Sequence, residues 1–257
     1  MVERAVPGFL PSVHGLHFAN AFPPGPTFRL GPLDPRVVGV GDASAGLCGG
    51  MALPARDLWA AGLSAPPATE PPANGSRRFN ALVRRQVQSL DWLRVPARYA
   101  VLALLHDAGA SPDAAPAGSA GLAGLVRWFR RGPVRVPTME REWPRVRAEI
   151  NAGRPCLVEL IRAGGVSPAA LARNHQVLAW AYEEAAGDGS RTGTRTRLRI
   201  YDPNHPGRND VALELAIAAD DGRPVADCMV LGQTTGEPLL GFFRGPVLPN
   251  ERVVAWR

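Results

Sequence analysis

The order of helix-like and strand-like patterns is the feature that most restricts how this 257-residue chain can fold. Helical periodicity comes first: apolar residues recur at three- and four-residue steps after Cys48 and again after Ser76, which can cap a helix. Strand-like apolar runs come last, at residues 155–161, 176–182, 195–201, 211–218, 239–243 and 253–256. Because the two kinds of element are segregated rather than alternating, the sequence predicts an α+β fold with an antiparallel sheet.

Chain length and pattern together predict one domain over residues 1–257. Residues 1–45 are rich in Pro and Gly, and they predict an extended surface segment. Residues 46–153 predict a mainly helical lobe, and residues 154–257 predict a mainly β lobe.

Two details of the predicted helices carry specific expectations. Pro54 lacks an N–H group, so the helix after Cys48 either kinks or begins near Pro54. In the helix after Ser76, the apolar residues occupy one face. The opposite face is predicted to be solvated, and it carries Arg77, Arg78, Arg84 and Arg85.

The charge of the chain comes with an unusual composition, because all 29 basic side chains are Arg and the net charge is +6. These arginines are scattered along the chain, which argues against nucleic acid as a partner. An arginine-mediated binder of an anionic partner stays an alternative. No apolar run reaches about 18 residues, so no membrane span is predicted. The first 20 residues lack the pattern of a signal peptide, which predicts a cytoplasmic protein or one exported without a classical signal.

The chain has three cysteines, and their number and wide spacing argue against a disulfide framework or a zinc site. No metal or cofactor is predicted. Cys156 lies in an apolar run and is predicted to be a buried, small hydrophobic residue. Cys48 differs because glycines surround it in the run Gly46-Leu47-Cys48-Gly49-Gly50.

A thiol, an imidazole and a carboxylate or amide follow one another along the chain as Cys48, His175, and Asp202 or Asn204. His175 opens one predicted strand, and Asp202 follows the next. If these two strands pair antiparallel, the end of the second returns to the start of the first, which brings Asp202 beside His175. The third member of this candidate triad stays open between Asp202 and Asn204.

Such a triad supports nucleophilic catalysis, because an imidazolium or a helix N-terminus lowers the pKa of a nearby thiol. His175 would act as the base and then as the acid, while Asp202 or Asn204 would orient its ring. The glycines beside Cys48 leave room for a substrate backbone to approach the sulfur. His205 lies close in sequence and is a candidate for a residue that supports the triad without touching substrate, for a turn residue or for a metal ligand.

The residues around Cys48, together with Asn174-His175-Gln176-Val177 and Tyr201-Asp202-Pro203-Asn204, resemble the papain-like cysteine peptidase superfamily. The Asp-Pro pair is most similar to the bacterial double-glycine leader peptidases and their relatives. The resemblance implies a helical lobe packed on an antiparallel β lobe, with the site in a cleft between them. It also implies a thiol-dependent hydrolase of peptide or protein substrates that needs no cofactor.

One position departs from the superfamily pattern, in which a Gln several residues before the nucleophile donates to the oxyanion. Asp42 stands in the corresponding stretch, and an ionised carboxylate would repel an oxyanion. The backbone N–H of Cys48 can still donate, and Gly49 belongs to the same candidate oxyanion region. The alternatives are therefore an acyltransferase or transglutaminase-like enzyme, a toxin effector acting through the same site, and a catalytically weak binding module.

Overall fold

The structure is a computed structural model, and it describes residues 1–23, 46–91, 94–108, 134–165, 167–186, 193–220 and 223–256. Every helix and strand named below lies within these ranges. The stretch that contains Asp42 lies outside them.

Most of the helices precede residue 152. The helices are α1 (Pro11–His14), α2 (Cys48–Ala60), α3 (Arg77–Ser89), α4 (Arg94–Ala108), α5 (Arg135–Pro137), α6 (Trp143–Asn151) and α7 (Pro168–Leu171). A π-helical turn, Thr138–Glu142, joins α5 to α6. Helix α2 begins at Cys48 and contains Pro54, so the alternative start near Pro54 is wrong. The predicted cap of α3 is confirmed, because Ser76 Oγ accepts a hydrogen bond of 3.2 Å from the backbone N–H of Phe79.

The strands form one seven-stranded sheet in the order β6-β5-β4-β3-β2-β7, with β1 paired to β3 outside this path. They are β1 (Val2–Ala5), β2 (Cys156–Ile161), β3 (His175–Ala186), β4 (Gly193–Tyr201), β5 (Ala212–Asp220), β6 (Arg223–Gln233) and β7 (Gly241–Arg244). All described pairings are antiparallel. The predicted α+β class and antiparallel sheet are confirmed, and the sheet curls into a half-barrel.

The observed strands can be compared with the six apolar runs that the sequence predicted to be strands. The first five predicted runs are strands, although β3 continues four residues further, to Ala186. The predicted strand at residues 253–256 is wrong, because Val253–Trp256 forms a 3₁₀ helix. Two strands were not predicted. They are β1 at the N-terminus and β6 near the C-terminus.

Helix α2 lies in the interior, and all residues from Gly49 to Leu58 are buried. One side of α2 packs on the sheet through Ala52, Leu53 and Ala55. Another side packs against α3 and the N-terminal segment, where Phe18 and Phe22 are buried. Because α2 is enclosed by packing on both sides, its first residue, Cys48, is held in a fixed position relative to β3.

Arg85 corrects one prediction about α3. The residue is only 2% exposed, whereas the sequence assigned it to a solvated face. Arg85 donates a hydrogen bond of 2.8 Å to the buried carboxylate of Asp57 on α2 and one of 3.3 Å to the carbonyl oxygen of Pro249. Arg85 therefore joins α3 to α2 and to the C-terminal segment, whereas Arg77 and Arg84 on the same predicted face are exposed.

Candidate active site

His175 and Asp202 meet because β3 and β4 are paired antiparallel. Leu178 of β3 is the partner of Tyr201, the last residue of β4, so the chain leaves β4 beside the start of β3. His175 Nε2 lies 2.6 Å from Asp202 Oδ1. Both side chains are buried, with Asp202 at 0% exposure.

Asp202 is held in its charged form by donors on several sides. The backbone N–H of Asn204 donates to Oδ1 at 2.8 Å, and Gln233 Nε2 donates to Oδ2 at 2.8 Å. Arg162 adds a positive charge 3.6 Å from Oδ2. Burial alone would raise the pKa of Asp202. The charge and hydrogen bond of His175, with the other donors, hold this pKa well below its ordinary value.

His175 is correspondingly favoured as an imidazolium. Burial lowers its pKa, but the charge of Asp202, the hydrogen bond to Asp202 and interactions with Cys48 outweigh burial and raise the pKa to about 9. Asp202 occupies Nε2, so the other ring nitrogen, Nδ1, is the one left to exchange a proton with a thiol.

Cys48 is a free thiol at the first position of α2 and is partly exposed. The turn that leads to it is held by Asn20, whose Oδ1 accepts a hydrogen bond of 2.6 Å from the N–H of Leu47. Gly46, which precedes Leu47, has a φ of 90°, in the left-handed region that favours glycine. A Cβ at this position would lie 2.6 Å from Asn20 Nδ2. The sulfur of Cys48 donates a hydrogen bond of 3.8 Å to Gln176 Oε1.

The two glycines after Cys48 are explained by packing inside the protein. A Cβ on Gly49 would lie 2.1 Å from Gln176 Oε1 and 2.3 Å from Ser89 Oγ. A Cβ on Gly50 would lie 2.4 Å from the carbonyl oxygen of Leu82 on α3. Both positions therefore allow α2 to approach its neighbours closely, whereas the sequence had suggested room for a substrate.

The remaining predicted site residues occupy different positions. The side chain of Asn204 accepts from Asn20 Nδ2 at 3.2 Å, so it is Asp202 that contacts the imidazole. His205 Nε2 lies 2.6 Å from Glu237 Oε1, in a pair that is partly exposed. Asp42 lies outside the described residues.

The sequence interpretation missed a group of buried polar residues around the thiol. Gln176 follows His175 directly, and its Nε2 donates to Glu159 Oε1 at 2.9 Å. Glu159 is the one acid in the apolar run of β2, which is a signal that the sequence offered, since a charged residue inside a buried strand needs partners. Asn20 offered no comparable signal, because it lies in an irregular segment far from Cys48 in sequence.

Comparisons with protein-family models, curated proteins and solved structures found no match for this chain. Among the described residues, no three His, Cys, Asp or Glu side chains are grouped as the ligands of a metal ion would be. Within the same part of the chain, no helix is long and apolar enough to cross a membrane.

Proposed function

We propose that the protein is a thiol-dependent hydrolase of papain-like type, with Cys48 as the nucleophile, His175 as the acid and base, and Asp202 as the residue that orients the imidazole. A peptide or amide bond in a peptide or protein is the proposed substrate. The main support is the buried pair of His175 and Asp202, 2.6 Å apart, with Cys48 among the groups that raise the pKa of the same imidazole.

The chemistry of acylation follows from the charge of that pair. An imidazolium at His175 favours a thiolate at Cys48, and the thiolate attacks the carbonyl carbon of the substrate. A C–S bond forms, and the carbonyl electrons move to the oxygen. When the tetrahedral intermediate collapses, the C–N bond breaks and the leaving amine takes the proton of His175.

Deacylation reverses the role of the imidazole. Neutral His175 takes a proton from water, whose oxygen attacks the thioester carbon. The C–S bond then breaks, the acid product leaves, and the thiolate and imidazolium are restored. Asp202 stays ionised throughout, because its contacts favour the carboxylate, and it stabilises the imidazolium each time one forms.

Alkylation of Cys48 tests the proposal before any substrate is known. Iodoacetamide is reacted with the protein from pH 4 to 9, and peptide mass spectrometry locates the label. We expect Cys48 to react at a lower pH in the wild-type protein than in His175→Ala, because the variant lacks the imidazolium that favours the thiolate. Cys156 is an internal control, since its thiol is buried and burial raises its pKa.

A second measurement asks whether the activated thiol turns over. The wild-type protein and Cys48→Ala are incubated with a mixed peptide library, and the products are identified by mass. New peptide termini that depend on Cys48 support hydrolysis. A Cys48 that is alkylated with the same pH profile in wild type and His175→Ala, and no cleavage, would contradict the proposal and favour a binding module.

A further inference from the structure

Two hydrogen-bonded side-chain amides, Gln86 and Gln176, lead from the start of α2 to the sulfur of Cys48. These two amides, with Glu159 as their anchor, are called the relay below. The backbone N–H of Gly50 donates to Gln86 Oε1 at 2.9 Å. A backbone donor cannot turn into an acceptor, so this contact fixes which end of the Gln86 carboxamide faces α2. The NH₂ group of Gln86 then donates to Gln176 Oε1 at 3.0 Å.

The next amide is fixed from both of its ends. Gln176 must present its oxygen to Gln86, and its NH₂ group therefore faces Glu159, which accepts at 2.9 Å. Glu159 and Gln176 are direct partners in the pairing of β2 and β3, so their side chains lie on the same face of the sheet. As a result, the oxygen of Gln176 points towards Cys48 Sγ, 3.8 Å away.

We propose that Gln176, anchored by Glu159, is a positioning residue that favours the S–H form of Cys48 over the thiolate and so opposes formation of the thiolate beside His175. This inference rests on the proposed function in one respect, that Cys48 is the reacting group. The physical reason is the sign of the contact. A carbonyl oxygen stabilises an S–H group that donates to it and repels a thiolate in the same place.

The strength of this restraint is limited by competition at the Gln176 oxygen. Ser89 Oγ lies 2.9 Å from it, and Gln86 Nε2 already donates to it. Both are closer than the thiol, so the S–H contact is the weakest of the three. A substrate that displaces the sulfur by a short distance removes this restraint, and the imidazolium of His175 then favours the thiolate at Cys48.

Glu159 satisfies its partners in both of its protonation states. Tyr99 OH lies 3.0 Å from Glu159 Oε2 and 3.2 Å from the carbonyl oxygen of His175. Ionised Glu159 accepts from Tyr99. Protonated Glu159 donates to Tyr99, whose own proton then turns to His175. Burial raises the pKa of Glu159 to about 7, although Gln176, Tyr99, Arg98 and His175 act in the opposite direction.

Three variants test the relay on the wild-type background. Gln176→Met removes the acceptor, and Glu159→Leu removes the anchor of the carboxamide. In both, we expect the pH midpoint of Cys48 alkylation by iodoacetamide to fall by about 0.5 unit or more, the equivalent of one lost hydrogen bond. Glu159→Gln retains an acceptor for Gln176 and a donor for Tyr99, so we expect the wild-type midpoint.

Thr138→Val is the matched control for structural damage. Thr138 is buried and bonds to Val134 and Phe242, away from Cys48, so its loss destabilises the protein without touching the relay. Its alkylation midpoint should equal that of the wild type. A wild-type midpoint in both Gln176→Met and Glu159→Leu, or an equal shift in Thr138→Val, overturns the inference.

The wild-type protein provides a measurement that does not depend on the folding of these variants. At a pH below the midpoint of Cys48 alkylation, where the thiol is protonated, the infrared difference between wild type and Cys48→Ser contains the S–H stretching band of Cys48. We expect this band below the frequency of a free thiol, and a band at the free-thiol frequency contradicts the relay. His175→Ala separates the two proposals. An unchanged alkylation profile in that variant refutes the hydrolase. The response of the alkylation midpoint to Gln176→Met still decides whether the relay acts on Cys48.

Discussion

Asp202 Oδ1 lies 2.6 Å from His175 Nε2, and the two side chains are almost completely removed from solvent. The pair would be costly to bury if it stood alone, because two charges lose their hydration. Asp202 recovers part of this cost through the N–H of Asn204, the amide of Gln233 and the charge of Arg162. The carboxylate therefore stays ionised, and the imidazole beside it is favoured in its charged form.

Replacing Asp202 with Asn removes the charge that raises the pKa of His175. We expect that pKa to fall from about 9 towards or below the ordinary value for histidine, because burial would then dominate. NMR of the imidazole carbon-bound protons measures this directly. If the protein hydrolyses peptides, we expect kcat/KM to fall by about 10²-fold or more. Asn204→Ala is the control, since the Asn204 side chain contacts Asn20, and its His175 pKa should stay near 9.

The raised pKa of His175 also predicts how stability depends on pH. Folded His175 keeps its proton up to about pH 9, whereas an unfolded histidine loses it near its ordinary pKa of 6.5. The contribution is therefore complete below about pH 6.5 and disappears as the pH rises through about 9. We expect the free energy of unfolding in urea to fall by on the order of 2–3 kcal/mol across that window. His175→Gln should abolish this fall, and an equal fall in that variant would assign it to another group.

The close approach of Gly49 to β3 predicts a strong effect of one added methyl group. In Gly49→Ala, the new Cβ would lie 2.1 Å from Gln176 Oε1, so α2 or Gln176 must move. We expect a loss of about 1–3 kcal/mol in unfolding free energy, together with a change in the alkylation profile of Cys48. Gly232→Ala is the matched control, because a Cβ there meets nothing within 4 Å. Equal stability of the two variants would contradict the packing role of Gly49.

The elements of this fold that the sequence predicts are those with a local signal. The apolar periodicity after Ser76 and the hydroxyl that caps it are both visible within one helix, and α3 has that cap. The pairing of β3 with β4 follows from two neighbouring strands and a polar connection, and this pairing is what brings Asp202 to His175. That part of the candidate site could therefore be anticipated before the structure.

The features that the sequence does not predict depend on contacts between distant segments. The sequence indicates that Arg85 is a surface residue, because its partner, Asp57, lies on another helix. Gln176 looks like a neutral neighbour of His175 until Gln86 and Glu159 fix its direction. Asn20 is connected to the site only because its segment reaches Leu47 and Asn204. In each case the partner, and not the residue itself, determines the role.

The buried pair of Arg85 and Asp57 predicts a large effect when one partner is removed. Asp57→Ala leaves Arg85 and Arg56 with less compensation for their burial, and we expect a loss of about 3–5 kcal/mol in unfolding free energy. Arg84→Met tests the contrast, because Arg84 pairs with Glu251 at a site where its side chain is 59% exposed. We expect less than about 1 kcal/mol there. Similar losses in the two variants, measured by urea unfolding, would contradict the importance of burial.

Glu159 predicts a second pH window, distinct from that of His175. Burial raises the pKa of Glu159 from 4.5 to about 7, so the folded protein keeps a proton there that the unfolded chain has already released. Because the folded state binds more protons than the unfolded state between about pH 4.5 and 7, stability falls as the pH rises through this window. The size of the fall is on the order of 3 kcal/mol.

Glu159→Gln should remove this fall while retaining the hydrogen bonds to Gln176 and Tyr99. We therefore expect the variant to gain stability relative to the wild type as the pH rises from 4.5 to 7, measured by urea unfolding at intervals of half a pH unit. Glu142→Gln is the matched control, since Glu142 is also buried but pairs with Arg98 and Arg145 at a distance from Cys48. If the difference between Glu159→Gln and wild type is constant across the window, folded Glu159 releases its proton at the same pH as in the unfolded chain, and burial does not raise its pKa.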